Sequence, residues 1–124
     1  MNKYLLIVAI CSSVSTAWAQ EEDYTVVLPD AAQACVLPAA PDSIPPEATY
    51  EQLVAAKGQV ADFQGGVESY RSCMQAAEND TKDLTPGNKQ ALVQSYNYSV
   101  DMEDRVAQRF NDAIRSYKER NPSN

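Results

Sequence analysis

Residues 49–77 read TYEQLVAAKGQVADFQGGVESYRSCMQAA, and this stretch decides the fold. Leu53, Val60, Val67 and Met74 recur every seven residues. Ala56, Phe63, Tyr70 and Ala77 repeat the same interval, offset by three. That paired spacing is the a/d ladder of a helix seated against a partner helix. Thr49 offers a hydroxyl at the start, and Gln52 stands three residues on, the pattern of a capping box. A helix is expected over about 49–78. Gly65 and Gly66 fall inside it, each costing about 1 kcal/mol against alanine, and they are expected to interrupt it.

Working outward towards the C-terminus, residues 79–85 form a polar connection. Thr85-Pro86 then marks a second start, with a capping residue followed by proline at the first helical position. This helix is expected over 86–120, where Asn121-Pro122 stops it, leaving 121–124 as a tail. Its apolar stripe reads Val93, Tyr96, Val100, Ala107, Phe110, Ile114 and Tyr117, flanked by Leu92 and Val106. Asp101 with Arg105, and Arg115 with Glu119, are spaced to pair across one helical turn. Glu103 occupies a seam position where an apolar residue belongs. It is expected to reach a partner or water and to set register. The short connection makes the two helices antiparallel.

Towards the N-terminus, residues 20–48 carry Pro38, Pro41, Pro45 and Pro46 in an extended segment that favours polyproline II. Residues 30–35 have room for one helical turn. Cys35 and Cys73 are the two cysteines left once the leader is removed, and in an exported chain an even pair reads as a disulfide. Formed within one chain, that bond is demanding. The helix rises about 36 Å from Thr49 to Cys73, while fourteen polyproline steps from Cys35 to Thr49 span about 43 Å. The segment must therefore run back along the first helix, over the face that carries Gln59, Gly66 and Cys73. Counting 3.1 Å per residue, Pro38 or Ala39 passes over Gly66, where a missing Cβ admits another backbone.

The first nineteen residues have the form of an export leader. Met1-Asn2-Lys3 is a positive start, Tyr4 to Cys11 is apolar, and Ala17-Trp18-Ala19 is a cleavage pattern placing Gln20 first in the mature chain. The apolar run is too short to span a bilayer, which needs about 20 residues. The protein is expected in the periplasm or outside the cell, with no stable membrane insertion after cleavage.

Charge and composition narrow the function. Loss of Lys3 leaves 17 acidic and nine basic residues, a net charge of −8. An acidic body argues against nucleic acid as a partner. Five cations between Arg105 and Arg120 are read as favouring a helix C-terminus. There is no histidine, which removes the commonest general base and zinc ligand. Glu78, Asp80 and Asp83 miss the EF-hand pattern because Lys82 takes its third position. No nucleophile elbow, P-loop or dinucleotide turn is present. Neither a metal, a cofactor nor a catalytic residue is expected. Tyr98, Met102, Arg105 and Arg109 form a second stripe on helix two, composed of residue types enriched at interfaces.

Cys35 ahead of a proline-rich segment, F-x-x-x-V-x-x-Y-x-x-C from Phe63 to Cys73, and F-N-x-x-x-R-x-Y-K from Phe110 to Lys118 together set a pattern. It resembles small exported helical proteins of alphaproteobacteria, a group with no assigned function. The resemblance implies a periplasmic location and no activity.

The expected fold is all-α: a coiled-coil-like antiparallel two-helix hairpin over 49–120. A proline-rich extended segment packs on helix one, held by one disulfide. The expected role is a non-enzymatic protein-interaction or scaffold module, with a holdase-type chaperone as the alternative. No protein partner is identified by sequence; a homodimer would bury the apolar surface that a thin hairpin leaves over.

Overall fold

The computed structural model describes residues 25–123. The leader at 1–19, its Ala19–Gln20 cleavage point and residues 20–24 lie outside that range. Three helices follow one another: α1 (Asp30–Gln33), α2 (Tyr50–Asp80) and α3 (Pro86–Arg120). Among the described residues there is no strand.

Local chemistry sets both long helices. At α2, Gln52 N donates to Thr49 Oγ1 at 3.2 Å, and Thr49 N donates to Gln52 Oε1 at 2.9 Å. At α3, Asn88 N donates to Thr85 Oγ1 at 3.1 Å and Thr85 N to Asn88 Oδ1 at 3.2 Å. Each reciprocal pair satisfies two backbone donors. Thr81 closes α2: its N–H and its hydroxyl both donate to Ala77 O, at 3.2 and 2.7 Å.

Gly65 and Gly66 do not interrupt α2, which runs unbroken for 31 residues. Propensity costs of about 1 kcal/mol each are small beside the flanking burial. Phe63 and Val67, on either side, are almost wholly out of solvent.

The α2 ladder is the buried stripe: Leu53, Ala56, Phe63, Val67, Tyr70, Met74 and Ala77 all face inward. The expected stripe on α3 is corrected. Val93 and Tyr96 are more than half exposed, while Leu92 and Val106, read as flanks, are core. The true inward line is Leu92, Ser99 and Val106, again seven residues apart. Ser99 disguised it, because its hydroxyl breaks the apolar pattern. Yet Ser99 is fully buried. Its Oγ donates to Tyr96 O at 2.6 Å and accepts from Arg71 Nε at 3.0 Å, so burial leaves it satisfied.

Two clusters hold the molecule together. One comprises Ala32, Tyr70, Met74, Ala77 and Leu92; the other comprises Phe63, Val67 and Val106. Leu37, from the proline-rich segment, packs against both. The contacts pair rising numbers on α2 with falling numbers on α3. Tyr50 meets Tyr117 with ring centroids 6.3 Å apart, Val67 clusters with Val106, Arg71 reaches Ser99, and Met74 clusters with Leu92.

Candidate functional site

Two helices lying side by side leave a furrow along each flank of their contact line. The sequence fills one of them. Cys35 is bonded to Cys73, with Cα atoms 5.7 Å apart. Three residues on, Pro38 lies so close to Gly66 that a Cβ built there would sit 3.0 Å from Pro38 Cγ and 3.1 Å from its Cβ. Further along, residues 41–44 share a small recess with Ala56, Gln59 and Val106.

The ends of this strap are tied to α3. Asn88 Nδ2 donates to Val27 O at 2.7 Å. Arg120 Nη1 donates to Pro46 O at 2.6 Å, and its Nη2 donates to Ala48 O at 3.0 Å. Asn88 thus spends its carbonyl on the α3 cap and its amide on the strap. The extended segment has no ladder to satisfy its carbonyls, and α3 supplies donors at both of its ends.

The opposite furrow is open. Its half near the α2 N-terminus is lined by Tyr50, Val54, Lys57, Phe110, Ile114 and Tyr117, among others. Ala61, Gln64 and Ala107 line its middle. The other half is lined by Glu68, Met74, Glu78, Leu92, Val93 and Tyr96, among others. Tyr50, Val54, Val93 and Tyr96 are each at least half exposed. On the α2 wheel, Ala61 and Gln64 lie about 160° round from Gln59 and Gly66, so strap and open furrow occupy opposite flanks.

Arg71 is the main polar feature of the seam. Its Nη2 lies 2.8 Å from Glu103 Oε2, both side chains being about three-quarters buried. The carboxylate is off the line of the N–H bonds, so the contact is ionic without a directed hydrogen bond. The guanidinium also covers the Tyr96 ring, with Cζ 5.5 Å from its centroid. Glu103 therefore has its partner across the helix pair.

Tyr98, Met102, Arg105 and Arg109 share a shallow recess on α3 with Ala40 of the strap. Tyr98 is half exposed, while Met102 leans on the Phe63–Val67–Val106 cluster. Arg115 is engaged by Asp112 at 2.8 Å, one turn back, rather than by Glu119. Asp101 and Asp104 are exposed. Among the described residues no group of three or more His, Cys, Asp or Glu side chains is placed to hold a metal ion. No helix among them is long and apolar enough to cross a membrane.

The roles of Asn88, Arg120 and Arg71 are not apparent from the sequence pattern alone. Asn88 sits at the capping-box position, three after Thr85, and that spacing is the available signal. Arg71 holds an e position of the heptad ladder, where charges cross to the neighbouring helix. Nothing local in the sequence marks Arg120, whose acceptors lie 72 and 74 residues away.

No family model, curated protein or solved structure matches the chain.

Proposed function

We propose that the protein is a non-enzymatic interaction or scaffold module of the periplasm or extracellular space. Its body is an antiparallel helical hairpin made rigid by a disulfide-stapled polyproline strap. One observation carries this reading: the strap fills one interhelical furrow and is tied at both ends, while the facing furrow is left open and lined with exposed Tyr50, Val54, Val93 and Tyr96. Aromatic side chains kept in solvent beside a rigid frame are characteristic of binding surfaces. The disulfide fits an oxidising compartment.

The open apolar furrow also suits the alternative, a holdase that shelters unfolded chains. Two assays separate them. A photo-crosslinker at Gln64 should capture a small, defined set of proteins from periplasmic extract. Aggregation suppression of a heat-denatured test protein should be absent at equimolar ratio. Strong suppression across unrelated clients would favour the holdase, and no capture from the furrow would remove the interaction reading.

A further inference from the structure

We infer that the open furrow is a self-docking face, on which a second copy of this chain seats antiparallel about a two-fold axis passing near Ala61, Gln64 and Ala107. This rests on the reading of the furrow as a docking face and names its occupant.

In the half of the furrow near Tyr50, the charged residues lining it are Lys57 and Lys118. In the half near Tyr96 they are Glu68, Glu78 and Arg71, and Arg71 is matched within its own chain by Glu103. One end of the furrow is therefore basic and the other acidic. A two-fold axis across the middle inverts one copy on the other, which is how an isologous interface must work. It lays the Lys57 and Lys118 end of each copy on the Glu68 and Glu78 end of its mate. A parallel arrangement would set lysine on lysine and carboxylate on carboxylate. The charge distribution is self-complementary in one orientation only.

Side-chain size points the same way. The midpoint of Lys57 and Glu68 falls between Ala61 and Gln64, and Ala107 faces the same stretch of furrow. Small residues at a crossing let helix surfaces approach. The larger Tyr50, Phe110 and Tyr117 lie at one end and Val93 and Tyr96 at the other. Inversion lays the aromatic end of each copy over the Val93 and Tyr96 end of the other.

Area is sufficient. From Tyr50 to Glu78 the furrow runs about 42 Å, and two helices side by side are about 20 Å across. Such a face offers up to about 800 Å² per copy, the size of a standard specific interface. The product is a four-helix layer pair with a strap on each outer surface.

The test uses the oxidised, exported protein in sedimentation velocity at low ionic strength. Wild type is expected to run as a dimer at about 50 µM, since interfaces of the standard size have micromolar or tighter affinities. Lys57→Glu places two repulsive contacts in the dimer and should weaken it about tenfold. Adding Glu68→Lys in the same chain restores both pairs and should return the affinity to near wild type. Lys57 and Glu68 are about 16 Å apart along α2, too far to form a direct ion pair within one chain. Gln64→Cys should cross-link copy to copy, and Val93→Cys should not. A monomer at 200 µM, a double variant no tighter than the single, or self-cross-linking at Val93 instead of Gln64 would each overturn the self-docking proposal. The extract capture described above reads any occupant of the furrow: a product of twice the chain's mass is the second copy, and capture of other proteins with no doubled product would overturn self-docking while leaving the docking face standing.

Discussion

Gly66 shows how one absent methyl group fixes the path of a distant segment. Helix propensity alone predicts that alanine stabilises either glycine by about 1 kcal/mol. At Gly65 a methyl group would have nothing within 4 Å, whereas at Gly66 it would meet Pro38 at 3.0 Å. Gly65→Ala should therefore raise stability by up to about 1 kcal/mol. Gly66→Ala should lower it by about 1 kcal/mol, since Pro38, held by the nearby disulfide, has little room to retreat. In a Pro38→Ala background the Gly66 substitution should lose its penalty. Urea denaturation of the wild type and the four variants measures all three statements. The Arg71–Glu103 pair makes a second residue-scale case. Glu103→Leu leaves a largely buried guanidinium without its counter-charge, and stability should fall by about 1–2 kcal/mol. Arg71→Met together with Glu103→Leu should recover most of that loss, because an apolar pair needs no counter-charge. Thermal melts of the two variants decide it.

At the scale of elements, each long helix was legible where its signal is local. Thr49 with Gln52, Thr85 with Pro86, and the α2 ladder all depend on residues within a turn or two, and sequence displays such relations directly. The face of α3 was harder to read. Its inward line passes through Ser99, whose buried hydroxyl is satisfied by donating to Tyr96 O in its own helix and by accepting from Arg71 of the other. The open furrow was illegible for a related reason: Val93 and Tyr96 look like core until Leu92 and Val106 are seen to occupy it. The strap ties are long-range as well, and they carry a prediction. Arg120→Ala frees the carbonyls of Pro46 and Ala48 from their donors, at about 1–2 kcal/mol for two charge-assisted bonds in a largely exposed site. Hydrogen exchange should then quicken at the first turn of α2 and leave the Val67–Val106 region unchanged.

For the whole molecule, the disulfide should govern stability, because two helices with one shared stripe are marginal alone. Closing a 38-residue interval is worth about 4 kcal/mol on chain-entropy grounds. Reduction should accordingly lower the melting temperature by well over ten degrees, as about 1 kcal/mol moves a domain of this size by 4–8 °C. Cys35→Ser should match the reduced wild type. The same bond also governs what limited proteolysis produces. Glu47 lies in the strap, inside the ring closed by Cys35 and Cys73, whereas Lys82 lies in the exposed connection outside it. A glutamate-specific nick after Glu47 yields pieces that stay covalently joined and migrate together until a reductant is added. A tryptic nick after Lys82 splits the chain into two strands with no bond between them, joined only through the seam and the strap ties. The two nicked forms should therefore respond oppositely to denaturant without reductant, the first refolding as a single molecule and the second only as fast as its halves meet.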